Sequence, residues 1–302
     1  MNIANKFFYT VLAALLSVAM TACGDEPVSE STADYVQTDS SETAAASVSP
    51  LQSDTADDEK ISPPQYELNA NQIFEGGNGT VHYSYYLPEN YDESKKYPLV
   101  MTMPGYDMMW FGEASAGSNL KWTGFTAWTK LDTEMIVVSA QLTDWYETSA
   151  KQVVELTEYF ISNFSVDTDR IYAAGYSAGG ETMSRAVSMR PDLYAAYLHG
   201  ASQWDGTYDT IAENKVAVYI YMAEGDEYYG SDKAHYAYDS LHKAYKDAGC
   251  SDAETDTFLR LEIPDNEFFN EKGIYNYHGG ANILFDDESN LDWIIFHSKG
   301  EQ

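Results

Sequence analysis

Apolar residues fall into short runs that alternate with amphipathic stretches from about residue 80 to the end of the chain. The segment Val81-His82-Tyr83-Ser84-Tyr85-Tyr86-Leu87 is dense in β-branched and aromatic residues. It stops at Pro88 and the turn-forming Glu89-Asn90-Tyr91-Asp92, so it reads as a strand. Leu99-Val100-Met101-Thr102-Met103 is apolar on both faces and halts at Pro104-Gly105, as a buried parallel strand does. Similar runs predict strands over 135–139, 170–174, 195–199, 216–222 and 257–263. Helical spacing predicts helices over 150–164, 178–189, 233–246 and 291–297. Strand followed by helix, repeated, implies right-handed crossovers and a mostly parallel central sheet with helices on both faces. Ligands of such α/β sheets sit at the carboxyl ends of the strands.

The first 64 residues follow neither period. Lys6 precedes the apolar run 7–20, and Met20-Thr21-Ala22-Cys23 matches a lipobox. At 14 residues the run is shorter than the ~20 a membrane-spanning helix needs. The expectation is a lipoprotein signal peptide over 1–22, with Cys23 carrying the lipid and export to the envelope or surface of a bacterium. Residues 23–64 are rich in Ser, Thr, Ala, Asp and Glu, and 24–59 hold 10 acids with no Lys or Arg. Such a composition cannot bury enough surface to offset its ordering entropy and reads as a tether. Residues 65–302 then form one catalytic-size domain of about 240 residues. The formal charge of −31 repels nucleic acid and anionic headgroups, which leaves the lipid as the only membrane contact.

Gly175-Tyr176-Ser177-Ala178-Gly179-Gly180 sits where a buried strand ends and a helix begins, the context of a G-x-S-x-G nucleophile turn. A serine hydroxyl is a poor nucleophile until a base takes its proton, and the base needs an orienting carboxylate. Chain order Ser, acid, His places the base late. His82 and His199 come too early, and His235 and His242 share a helix face. His278, in the turn Tyr277-His278-Gly279-Gly280, is the expected base, with His297 the alternative. Asp226 follows the strand 216–222 in Ala223-Glu224-Gly225-Asp226-Glu227 and is the expected acid, with Asp205 and Glu227 as rivals. Oxyanion donors are expected at the N–H of Ala178 and, from the loop after the early strand, Tyr106 or else Gly105. No HExxH, paired CxxC, P-loop or G-x-G-x-x-G occurs, so neither a metal nor a cofactor is indicated.

These residues resemble secreted α/β-hydrolases of the polyhydroxybutyrate depolymerase, feruloyl esterase and acetyl xylan esterase type, with relatives among prolyl-oligopeptidase-like catalytic domains. The stretches that carry the likeness are Leu87-Pro88-Glu89-Asn90-Tyr91, Lys96-Tyr97-Pro98-Leu99-Val100, the turn at Ser177, Arg190-Pro191-Asp192-Leu193-Tyr194, and 223–227. His278-Gly279 and Asp292-Trp293 complete it. The resemblance implies the α/β-hydrolase fold and Ser177, Asp226 and His278 as triad. It also implies a small-molecule or polysaccharide-linked ester as substrate. Such hydrolases commonly have His-Gly where this chain has Pro104-Gly105. Phe268, Phe269, Tyr275 and Tyr277 either wall the cleft or only pack. A peptidase is the second reading. A glycan-binding module using Trp110, Trp122, Trp128, Trp145 and Trp204 is the third.

Overall fold

The computed structural model describes residues 67–109 and 117–301. The signal segment 1–22, Cys23, the tether 23–64 and Trp110 lie outside the described residues. Eight strands follow in chain order: β1 Glu67–Gly76, β2 Gly79–Leu87, β3 Tyr97–Met103, β4 Ile136–Gln141, β5 Val166–Tyr176, β6 Ala196–Gly200, β7 Ala217–Tyr221 and β8 Leu259–Glu262. Among the described residues the helices are α1 Thr123–Thr126, α2 Glu147–Asn163, α3 Ala178–Met189, α4 Asp209–Glu213, α5 Asp232–Asp247, α6 Asp252–Phe258, α7 Asn266–Asn270, α8 Tyr277–Gly280 and α9 Glu288–Ile295.

The strands form one sheet in the order β1-β2-β4-β3-β5-β6-β7-β8. β2 runs antiparallel to both of its neighbours, and every pair from β4–β3 through β7–β8 is parallel. All seven residues of β3 are buried, as the apolar run implied. Full burial of side chains such as Leu99, Val100 and Met101 stabilises the sheet by about 1.5–3 kcal/mol each. The parallel strands end at one rim, where β3, β5 and β7 run out into the Pro104-Gly105 loop, Ser177 and the 223–230 turn.

The short helices α1, α4, α6, α7 and α8 are absent from the sequence reading, with His278 in α8 where a turn was expected, and two strands depart from it. β1 is absent from it because Glu67, Asn69, Asn71, Gln72 and Glu75 suit a strand poorly. Pairing with β2 through a Gly77-Asn78 hairpin turn imposes the extended form on it, with a register shift at Asn69/Gln72 and Asn71 at φ 58°. The strand expected over 257–263 is only β8. Thr257 and Phe258 belong to α6, which Ser251 and Glu254 start with a reciprocal capping box. That S-x-x-E pattern was the signal available in the sequence.

Candidate active site

Ser177 sits between the last residue of β5 and the first of α3, with φ 54° and ψ −126°, backbone that an L-residue adopts only when its surroundings force it. The forcing contacts are visible. Ser177 N–H donates to the Gly200 carbonyl at 3.0 Å, and its own carbonyl accepts from Gly180 N–H at 2.8 Å. The same carbonyl accepts from Ser202 Oγ–H at 2.7 Å. Two glycines let the turn close this tightly. A Cβ on Gly179 would stand 2.3 Å from the Met103 carbonyl oxygen, and one on Gly175 would stand 2.7 Å from that of Gly179.

His278 Nε2 lies 3.0 Å from Ser177 Oγ, and His278 Nδ1 lies 2.8 Å from Asp226 Oδ2. Asp226 is aimed by its other oxygen. Oδ1 accepts from the N–H groups of Tyr228 at 3.0 Å and Tyr229 at 2.8 Å, which leaves Oδ2 for the imidazole. Burial pushes this carboxyl up, but the bond from His278 and those from the two N–H groups outweigh burial and hold it below its ordinary value. An ionised Asp226 accepts from Nδ1–H, so Nε2 faces the serine hydroxyl as an acceptor.

The imidazole is positioned on several sides. His278 N–H donates to Glu227 Oε2 at 3.0 Å, its carbonyl accepts from the Tyr176 hydroxyl, and Tyr228 stacks on the ring at 5.2 Å. Glu227, a rival for the acid, thus meets the backbone of His278 and not its ring. Asp205, the other rival, pairs with Arg185 at 2.8 Å. His297 is buried against Trp293, and its carbonyl accepts from the hydroxyl of Tyr172 in β5. Tyr176, Tyr228, Tyr229 and Glu181 went unnoticed in the sequence, because their role depends on which side chains meet across three loops.

Gly105 lies against Ser177: a Cβ there would be 3.5 Å from Ser177 Cβ. Tyr106 opens the 3-10 turn Tyr106–Met108 beside it, and Ala178 is the first residue of α3. The three expected oxyanion residues therefore share one cleft with Ser177 and His278, of about 510 Å³. Its aromatic walls come from Tyr106, Trp122, Trp145, Tyr176, Tyr228 and Tyr229.

Two sets of aromatic residues had more than one reading in the sequence. Phe268, Phe269, Tyr275 and Tyr277 do not line this cleft. Phe269 is fully buried between Phe268 and Tyr277, and Tyr275 is exposed. Nor do the described tryptophans form a platform. Trp128 is in the core, Trp204 stacks on Tyr208, and only Trp122 and Trp145 of the described ones reach the cleft. Trp122 is tied there by its Nε1–H to Asn282 Oδ1 at 2.7 Å.

Behind the nucleophile, buried His199 donates from Nε2 to the Ser202 carbonyl at 3.1 Å and faces the Tyr197 hydroxyl with Nδ1 at 2.7 Å. Burial lowers its pKa from 6.5 to about 4, against the Ser202 bond that favours the charged form. Between those values the unfolded chain binds a proton that the folded chain refuses, so stability falls as pH drops from 6.5 towards 4 and rises with pH in that window. In urea unfolding, His199→Gln is expected to lose roughly 2 kcal/mol less than wild type between pH 7 and pH 4.5. Equal losses in both proteins would remove His199 as the source.

Residues 139–259 match the model of the prolyl oligopeptidase family. A search of the curated proteins finds no match. The solved structures include a thermostable esterase at 18% identity and TM-score 0.62, covering 76% of this chain and 63% of that one. A feruloyl esterase module from Clostridium thermocellum, complexed with sinapinate, is 17% identical with TM-score 0.52, covering 81% and 94%. A prolyl endopeptidase is 15% identical with TM-score 0.50, covering 78% and 39%. The chain thus spans less than two thirds of the length of the first and the last, and at these identities the likeness is one of fold. The sheet order, the turn at Ser177 and these neighbours together show the α/β-hydrolase fold.

Proposed function

We propose that the protein hydrolyses carboxylic esters through an acyl-enzyme on Ser177. The observation that carries this reading is the unbroken relay from Ser177 Oγ through His278 to Asp226, with both links at hydrogen-bond distance and the serine at the cleft. As Ser177 Oγ attacks the carbonyl carbon, His278 Nε2 takes the hydroxyl proton and the carbonyl π electrons move to oxygen. Ala178 N–H and the N–H of Tyr106 or Gly105 stabilise that oxyanion. Its collapse expels the alcohol, which takes the proton from His278, and water repeats the sequence on the acyl group.

The lipobox at Cys23 supports action outside the cell, on a substrate reached from the envelope. Exposed Tyr106 and Tyr228 at the cleft give an apolar rim on which a sugar or aryl group of an acylated polysaccharide can stack. The match to the prolyl oligopeptidase family favours a second reading, a peptidase, since the same relay cleaves amides. A glycan-binding module without turnover has the intact relay against it. Acid release is expected from acetyl, feruloyl or short-chain aryl esters at a kcat/KM above that for matched peptide amides. Amide turnover exceeding ester turnover would give the peptidase reading first place, and tight glycan binding with no turnover would overturn both.

A further inference from the structure

Glu181 is a carboxyl group in the cleft that the relay does not use. It lies in the first turn of α3, is only 6% exposed, and lines the same cavity as Ser177 and His278. Its Oε1 accepts from the Tyr229 hydroxyl at 2.5 Å, and no described residue donates to its Oε2. The second oxygen is thus free to accept from a group bound in the cavity that Glu181 lines.

The charges around it do not balance. Arg185, one helical turn further on, pairs with Asp205 through Nη2 and Oδ2 at 2.8 Å, and its buried Nε has no partner among the described residues. Ionised, Glu181, Arg185 and Asp205 together carry one net negative charge, and among the described residues no Lys or Arg lines the cleft. Burial pushes the Glu181 carboxyl above its ordinary value, against the lowering effect of the Tyr229 bond and of Arg185, so a cation beside it would favour its ionised form. Residues three apart on a helix have Cβ atoms about 5–6 Å apart, which brings Glu181 within a few bonds of a carbonyl carbon held at Ser177 and Ala178.

We propose that Glu181 is a specificity residue that binds an ammonium group of the substrate close to the scissile carbonyl, so that the cleft selects cationic esters over neutral and anionic ones. This rests on the hydrolase reading for its substrate, but the cation site has a test of its own.

Two readouts separate them. In the first, 4-nitrophenyl esters of alanine, isobutyrate and hydrogen succinate are compared on wild type and Glu181→Gln, a variant that keeps an oxygen for Tyr229. The alanine-to-isobutyrate ratio of kcat/KM is expected to fall about tenfold in the variant, and the succinate-to-isobutyrate ratio to rise. In the second, calorimetry on Ser177→Ala compares benzylammonium with benzyl alcohol, with and without Glu181→Gln. A preference for the ammonium that disappears with Glu181→Gln supports the site even where no ester is turned over, in which case it is the hydrolase reading that falls. Ratios and affinities unchanged by Glu181→Gln would overturn the proposal and leave Glu181 as a support for Tyr229.

Discussion

Ser177→Ala is expected to lower kcat on any ester the protein turns over by about a millionfold, with the fold intact. The reason is that the hydroxyl is the only atom of the relay that bonds to the substrate. Removing it leaves the oxyanion donors and the cleft, which together retain catalysis of roughly 10³–10⁴ over water. Fluorophosphonate labelling gives the direct measurement. Wild type should take up one label on the peptide that contains Ser177, and the variant none. His278→Ala should cost a similar factor, and the double variant little more, because the two groups act as one unit. A well-folded wild type that takes up no label would mean that Ser177 is not activated, however close it lies to His278.

Asp226→Asn is expected to lower kcat by about 10⁴ at neutral pH with little change in KM. The local hydrogen bonds dictate which way the asparagine turns. The N–H groups of Tyr228 and Tyr229 require an acceptor at the Oδ1 position, so the side-chain carbonyl stays there. Its NH₂ then faces His278 Nδ1 in place of Oδ2. A donor at that point forces Nδ1 to accept and puts the proton on Nε2, where it faces Ser177 and the base cannot take a second one. Glu227→Gln serves as the control. It keeps an oxygen for His278 N–H and should cost less than about tenfold, since it touches only the backbone of the base. A larger loss in Glu227→Gln than in Asp226→Asn would reverse the assignment of the acid.

The pairing of the two carboxylates shows why sequence could rank them but not separate their roles. Both follow β7 in one turn, and spacing alone gives each a route to the imidazole. The difference comes from the turn itself, which points Asp226 at the ring and Glu227 at the peptide N–H of the same residue.

Much of the fold was legible in the chain because its period was strong. Fully apolar runs such as 99–103 and 216–222 have few environments other than a buried parallel strand, and the helix over 178–189 was bounded by the serine turn before it and by Pro191 after it. That Ser177, Asp226 and His278 would meet was legible for a related reason: Ser177 and Asp226 follow β5 and β7 directly, His278 comes in the segment after β8, and in a parallel sheet these connections share one rim. What sequence by itself could not determine was whatever depended on distance between turns. β1 is extended because β2 pairs with it, against its own propensity. The cleft is walled by Tyr106, Trp122 and Tyr229 and not by the aromatics of 268–277, of which Phe268, Phe269 and Tyr277 pack on one another and Tyr275 is exposed. Glu181 reads in sequence as an ordinary first-turn acid of a helix. Only the tertiary structure buries it beside Ser177 and pairs it with Tyr229, since local patterning fixes which face a side chain takes but not what stands opposite.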